Sequence, residues 1–450
     1  MMEIEESSCP SESGEEAGGG KDIRGSSVNS ETSEKSSDAN LSVLWTGSAG
    51  KTPLIQFRAD ALLGLETPPD HPYSGNHRLT FKLSGENRLV HTLLLSHGFS
   101  EVSLMNARFN VYWSGSHIQM SEIRALMPHQ RINHFPRSYM ITRKDRLCQN
   151  ISRMQHAKGV KHFNIIPTTF VLPDELPQFR VHFRKKRGTW IVKPVSLSRG
   201  RGITIINHPN QAKSDEPMVV SQYIERPLIV NGYKFDLRIY VAVTSFNPLK
   251  IYIYEEGMAR FATEHYSGPV QLDNLCMHLT NYSVNKKSTQ YVRCDSPGRD
   301  DYGSKWSMSA LLRHLQEQGK NVAEMMMKVE DVIIKALIAG ESHISSACDV
   351  FQTHRRSCFE LYGFDILIDK DLRPWLLEIN LSPSLGCDTP FDLRLKSNLI
   401  ANLLTLVGVP LCDPYTRETP KPPTDHQHRR PTQTSWTREK NHRRLCHHVL

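Results

Sequence analysis

Apolar and polar positions change period along this chain, and each change marks an element. Trp190-Ile-Val-Lys-Pro194, Ile203-Thr-Ile-Ile206 and Met218 to Ile224 are short, β-branched runs that predict strands. Phe235 to Val243 and Leu249 to Tyr254 predict two more, joined near Asn247-Pro248, a turn pair. A helix is predicted from about Ser307 to Gln318. Another is predicted from Val322 to Cys348, where Val322, Met325, Met326, Val329, Ile333, Ala336, Leu337 and Ile344 recur at three- and four-residue steps. The methionines in that stripe read as core filler. Cys358–Ile368 and Pro374–Leu381 predict strands again, and Asp369-Lys-Asp371 between them has the composition of a hairpin turn. The last helix is signposted at both ends. Thr389 can cap it, Pro390 suits its first position, Asp392 favours its positive end and Gly408 can stop it. Strands and helices are mixed, with hairpins, so the fold class is α+β or α/β without a regular βαβ series. No repeat of 20–50 residues is visible.

Composition adds boundaries. The chain has 450 residues, 38% hydrophobic and 23% charged, which suits a folded core and excludes collagen, coiled coil and a fully disordered chain. Leu399 to Cys412 is the longest mostly apolar run and is too short to span a bilayer. No secretory signal pattern opens the chain. Nine cysteines are scattered without a Cys-x-x-Cys pair, which argues against a zinc module or disulfide scaffold and suits a reducing cytosol.

The net charge of +8 hides an asymmetry. Residues 1–40 carry ten acids against three bases and almost no large apolar side chain, so a disordered acidic tail is expected there. Residues 413–450 are rich in Pro, Thr, His and Arg, and a loose basic tail is expected. About +11 remains on residues 41–412, a charge that attracts nucleic acid, anionic lipid or an acidic protein.

Candidate chemistry collects in four places. Lys193 sits in an apolar strand and is costly to bury without an anionic partner; it either meets a nucleotide phosphate or snorkels from a strand edge. Ser198-Arg-Gly-Arg-Gly202 is either a flexible basic turn or a lid, with glycines for close approach and arginines for phosphate or carboxylate oxygens. In Lys234-Phe-Asp-Leu-Arg238 the period of two puts Lys234, Asp236 and Arg238 on one face, lining a polar cleft or facing solvent. In the hairpin, Glu378 and Asn380 share a face and Asp365 can lie beside them. Two carboxylates and an amide oxygen among Leu and Ile are hard ligands for Mg²⁺, or else a structural salt bridge to Arg238 or Lys193.

These motifs, with Asn133-His-Phe-Pro-Arg-Ser-Tyr139, Thr142-Arg-Lys-Asp-Arg-Leu147, Met277-His-Leu-Thr-Asn-Tyr-Ser283 and Trp375-Leu-Leu-Glu-Ile-Asn-Leu-Ser-Pro383, resemble the tubulin tyrosine ligase-like family, in unbroken order over about residues 41–412. The likeness is greatest to its polyglutamylases. It implies an ATP-grasp fold, with a nucleotide between two α+β lobes after an N-terminal domain. The expected division is an N-terminal domain at 41–180, a central lobe at 181–235 and a C-terminal lobe with the metal site at 236–412. The resemblance further implies ATP and Mg²⁺ as cofactors. Lys193, and Lys144 as a further candidate, would meet phosphates. Arg199 and Gly200 would belong to a mobile loop, with Arg199 also meeting the acceptor protein. Ser221, Gln222, Tyr223 and Ile224 would read the adenine. Lys234, Phe235 and Asp236 would frame ribose and phosphate, and Thr280 and Asn281 would line the nucleotide site. Arg260, Ser283, Lys305 and Lys396 would hold free L-glutamate. Asp365, Glu378 and Asn380 would hold the metal, and Arg238, Lys193 and Glu378 would be catalytic.

The implied activity is ATP-dependent ligation of glutamate to Glu side chains in acidic tubulin tails through an acyl phosphate. The implied setting is cytoplasmic and cytoskeletal: microtubules, centrosome, basal body and cilium. A monomer is expected, with neither nucleic acid nor membrane as partner. Many members continue into a basic helical region that grips the microtubule. Here 38 residues follow residue 412, so weaker lattice binding is expected. A glycine ligase on the same fold, a non-catalytic microtubule-binding relative and a nucleic-acid binder are the competing readings. Arg260 argues for glutamate, the intact charged set argues against decay, and the lack of basic–aromatic interleaving argues against nucleic acid.

Overall fold

Strict alternation over Lys234–Ile239 builds the central sheet of the computed structural model, which describes residues 43–46, 52–65, 78–212 and 216–416. The expected tails at 1–40 and beyond residue 416 lie outside these. In chain order the strands are β1 (Val43–Thr46), β2 (Thr52–Ile55), β3 (Thr80–Ser84), β4 (Ser100–Glu101), β5 (Val111–Ser114), β6 (Arg131–Ile132), β7 (Thr169–Leu172), β8 (Trp190–Pro194), β9 (Thr204–Ile206), β10 (Met218–Gln222), β11 (Ile229–Val230), β12 (Tyr233–Phe246), β13 (Leu249–His265), β14 (Lys305–Ser307), β15 (Glu360–Ile368) and β16 (Pro374–Asn380). The result is a mixed α/β architecture with several sheets.

The main sheet runs β14-β13-β12-β15-β16, with β11 added to β12, and its pairs are antiparallel. Its two faces bury different cores. Phe235, Leu237, Ile239, Val241 and Val243 point toward the helices Met308–Glu317 and Val322–Phe351. Tyr240, Ala242, Tyr254 and Met258 point the other way, into a core shared with the helix Pro390–Val407 and the parallel sheet β4-β3-β5-β6. The first β-ribbon, β1 with β2, joins this second core near the end of the last helix, where Ile55 N donates to Val409 O at 2.9 Å.

A smaller antiparallel sheet, β7-β10-β8-β9, carries the helix Leu176–Lys185 on one face. Its core is Leu172, Phe179, Phe183, Trp190, Val192, Ile206, Met218 and Val220. The strand β7 therefore sits with β8–β10 and not with the parallel sheet that precedes it in the chain.

Local sequence explains the main boundaries. Thr389 Oγ1 accepts from Asp392 N, Pro390 opens the last helix and Gly408 closes it at a φ of 69°. The long helix keeps its expected stripe buried at Met325, Val329, Ile333, Ala336, Leu337 and Ile344, while Val322 and Met326 are half-buried. Gly340 in this helix lies against Ile141, and a Cβ there would fall 2.1 Å from Ile141 Cγ2. Strand β13 outruns its expected end at Tyr254 by eleven residues, through Glu255, Glu256 and Gly257 to His265.

Candidate functional site

The inner face of the small sheet and the polar face of β12 line an open cleft. Alternation decides which side chains enter it. Trp190 and Val192 go to the small core, so Ile191 and Lys193 face the cleft. Met218 and Val220 do likewise, so Val219 and Ser221 face it. From β12 come Lys234 and Asp236, and from the β15–β16 hairpin Asp365 and Glu378. The remaining walls hold Lys144, the loop Ser198–Arg201, Gln222, Tyr223, Ile224, Thr280 and Asn281. Residues taken from six separate motifs thus meet in one cavity.

The hairpin register puts Asp365 opposite Glu378 and Gly363 opposite Asn380. Asp365 is also the centre of an ion-pair network. Arg238 Nε donates to Asp365 Oδ1 at 2.6 Å. Arg260 pairs with Asp365 Oδ2 at 2.9 Å, and its Nε donates to Asp236 Oδ1 at 2.8 Å. The salt bridge to Arg238 weighed from the sequence is thus present. Burial pushes the Asp365 carboxyl up, but Arg238 and Arg260 more than offset this and hold it below the usual carboxylate range. Burial likewise opposes charge on Arg260, yet Asp236 and Asp365 keep its guanidinium firmly protonated.

The two cleft lysines are less settled. Burial lowers Lys193, with the Glu378 carboxylate opposing the shift. Lys234 is brought down to about 7 by burial, against the pull of Asp236 and helped by Lys193. Its ammonium donates to Tyr223 Oη and His278 O, each at 2.9 Å. Both are desolvated amines facing an open cavity, an arrangement that suits a polyanionic ligand, which favours their charged form. Lys144 Nζ stands 3.6 Å from Glu378 Oε2 and donates to Leu197 O at 2.9 Å.

The Ser198–Gly202 loop is bent onto the far wall. Arg199 and Gly200 have positive φ, and a Cβ on Gly200 would meet Val284 Cγ2 at 2.8 Å. Ser283 Oγ donates to Arg199 O at 2.6 Å. The hydroxyl expected at the amino acid therefore fastens the loop backbone in this structure.

Asp365 and Glu378 fit a divalent cation. Asn380 gives its Nδ2 to Gly363 O at 3.2 Å, which leaves its Oδ1 as an acceptor. No group of three or more His, Cys, Asp or Glu is placed for a metal among the described residues. Two carboxylates and an amide suit Mg²⁺, which takes further ligands from phosphate and water.

The geometry revises one expectation and gives three other residues partners of their own. Phe235 was placed beside the cofactor, but its side chain is fully buried on the opposite face of β12, as the period of two requires. Lys305 and Lys396 do not line the cleft. They meet at buried Asp392: Lys305 Nζ lies 2.8 Å from Oδ2, and Lys396 Nζ lies 2.7 Å from Oδ1 but off the hydrogen-bond line. Arg260 bridges two aspartates before any ligand arrives. Sequence reasoning missed His278, whose Nδ1 shares a 2.8 Å hydrogen bond with Tyr223 Oη, and read Asp392 only as a helix-terminal acid. The run Met277–Ser283 signalled the first; nothing local signalled the second.

Comparison with known proteins supplies the family. The model of the tubulin-tyrosine ligase family matches residues 121–416. The tubulin polyglutamylase TTLL5 of Homo sapiens is 48% identical over 415 residues, 91% of this chain and 32% of its own. The tubulin polyglutamylase ttll-5 of Caenorhabditis elegans is 43% identical over 352 residues, covering 75% and 48%. The tubulin monoglutamylase TTLL4 of Mus musculus is 38% identical over 339 residues, covering 75% and 28%. The chain spans about a third of the length of the first of these relatives.

Proposed function

Because the chain belongs to the tubulin-tyrosine ligase family, we propose that it joins free L-glutamate to Glu side chains in acidic tubulin tails, using ATP and Mg²⁺ in an ATP-grasp cleft. The observation that carries this is the pairing of Asp365 with Glu378 inside the cavity that also holds Lys193, Lys234 and Asp236.

Forming an amide from a carboxylate is uphill, so the carboxylate needs activation. Bound ATP and Mg²⁺ supply a phosphoryl group and neutralise its charge. Asp365, Glu378 and Asn380 hold the ion, and Lys193 and Lys234 bind phosphate oxygens. Ser221–Ile224 and Thr280–Asn281 surround the nucleoside. Arg238, fixed by Asp365, faces the charge that develops on the transferred group. The acceptor carboxylate becomes an acyl phosphate as ADP leaves. The amine of glutamate attacks the acyl carbon, loses a proton and expels phosphate. Arg260, Ser283, Lys305 and Lys396 orient the glutamate, and Arg199 with Gly200 closes over the reacting groups. Two carboxylates on the incoming amino acid match a pocket richer in cations than a glycine donor needs.

We place the enzyme at the cytoskeleton, on microtubule-rich structures such as the centrosome, basal body and cilium. Among the described residues, no helix is long and apolar enough to cross a membrane. Mass spectrometry of purified tubulin, incubated with enzyme, ATP and mixed amino acids, tests the reading. Added glutamate on tail Glu residues is the expected product. Added glycine would reassign the donor, and unmodified tubulin would overturn the ligase assignment.

A further inference from the structure

The outer face of the small sheet carries a feature the cleft does not use. Between Leu176 and Gly188 there is no acid, and Arg180, Arg184, Lys185, Lys186 and Arg187 are all exposed. Among the described residues, none of the five makes an ion pair. Arg180, Arg184 and Arg187 line a groove against the turn at Pro209–Gln211, with Asn207 and Asn210 on its far side. Phe183 forms its floor but is buried in the small core. The groove lies behind the sheet, since Lys193 and Ser221 point into the cleft while the helix Leu176–Lys185 packs on the other face.

We propose that this groove docks an acidic, glutamate-rich peptide segment of the acceptor protein, apart from the place where the peptide reacts. The proposal rests on the acceptor class given under Proposed function. Charge complementarity selects the occupant: five unpaired cations desolvate least against carboxylates, and arginine forks onto them in two-pronged fashion. Spacing agrees. One helical turn separates Arg180 from Arg184, a rise of about 6 Å. Glutamates two apart on an extended chain are about 6.6 Å apart. Nucleic acid fits less well, because the groove offers a single exposed ring, His208, and no series of rings to stack successive bases. A lysine-and-arginine helix end that merely complements the helix dipole would not need the facing asparagine wall.

The test uses the full chain and a short, labelled, Glu-rich peptide, with affinity read by fluorescence anisotropy without ATP. R180Q/R184Q/R187Q should weaken peptide binding about tenfold. Arg→Lys at the same three positions should keep most of it, and added salt should erase the difference. Nucleotide affinity and melting temperature should not move. With a tailed acceptor protein, KM should rise and kcat should hold. Unchanged peptide affinity in the triple variant would overturn the proposal. So would tighter binding of single-stranded RNA than of peptide. Deleting residues 1–40, which carry a charge of −7, provides a control. If deletion strengthens peptide binding to the native groove but not to the triple variant, the chain's own acidic segment is the occupant and the assignment to the acceptor falls. Peptide binding without any ligation would count against the enzymatic reading alone.

Discussion

Asp365 accepts from two arginines on two different strands, so no charge beside it can be changed alone. Glu378→Gln keeps volume and leaves that network in place. It should cut ligation by about a hundredfold or more, in line with the loss of one well-aimed electrostatic group, and shift the melting temperature little. Near-normal turnover at saturating Mg²⁺ would remove Glu378 from the metal set. Arg260→Ala is a heavier change. If Arg260 did no more than hold glutamate, its loss would weaken glutamate use and spare ATP. Arg260 pairs with both Asp236 and Asp365, so truncation leaves these buried carboxylates without their shared cation, which costs about 3–5 kcal/mol of stability. Glutamate and nucleotide affinity should therefore fall together, in calorimetry as in kinetics, and a defect confined to glutamate would contradict the bridge. Lys234 gives a pH signature. Its folded pKa of about 7 lies below the unfolded value, so between the two the unfolded chain holds the extra proton. This group's contribution to stability thus rises with pH from about 7 toward 10. A bound polyanion restores the proton, so nucleotide binding above pH 7 should take one up and weaken as pH rises. Calorimetry in buffers of different ionisation enthalpy reads this directly, and Lys234→Met should abolish it.

At the scale of elements, alternation was the most legible signal. Lys234, Asp236 and Arg238 share a face of β12 because a strand has a period of two, and the hairpin turn at 369–371 set Asp365 against Glu378. The length of β13 was not legible, since two glutamates and a glycine look like a strand end. The strand continues because Gly257 lies opposite Ile239, where a Cβ would fall 2.6 Å from Arg238 O. Asp392 was illegible for another reason. Its partner Lys305 is 87 residues away, and only the packing of the last helix on the main sheet joins them. The long helix supplies the prediction at this scale. Gly340→Ala improves helix propensity by about 1 kcal/mol. It also drives a methyl into fully buried Ile141, and overpacking of that kind costs about 1–3 kcal/mol. The clash should win in urea denaturation, lowering the midpoint. A higher midpoint would mean that the helix can slide away from Ile141.

Across the whole molecule, the cleft joins two bodies of unequal strength. Its floor belongs to β12 and β15, buried on both faces by the two large cores. Its roof belongs to the small sheet, whose core is eight side chains and one short helix. The cost of exposing apolar surface scales with the area involved, so the roof should open far more often than the floor. Amide hydrogen exchange would read this as two tiers. Amides of β8 and β10 should exchange through a partial opening that leaves β12 and β15 protected, and the latter should exchange only when the whole chain unfolds. A nucleotide that touches both bodies must then slow the first tier before the second. Under saturating ATP analogue the two tiers should draw together, so that the ligand acts on this fold as a clasp that makes the weaker body share the lifetime of the stronger.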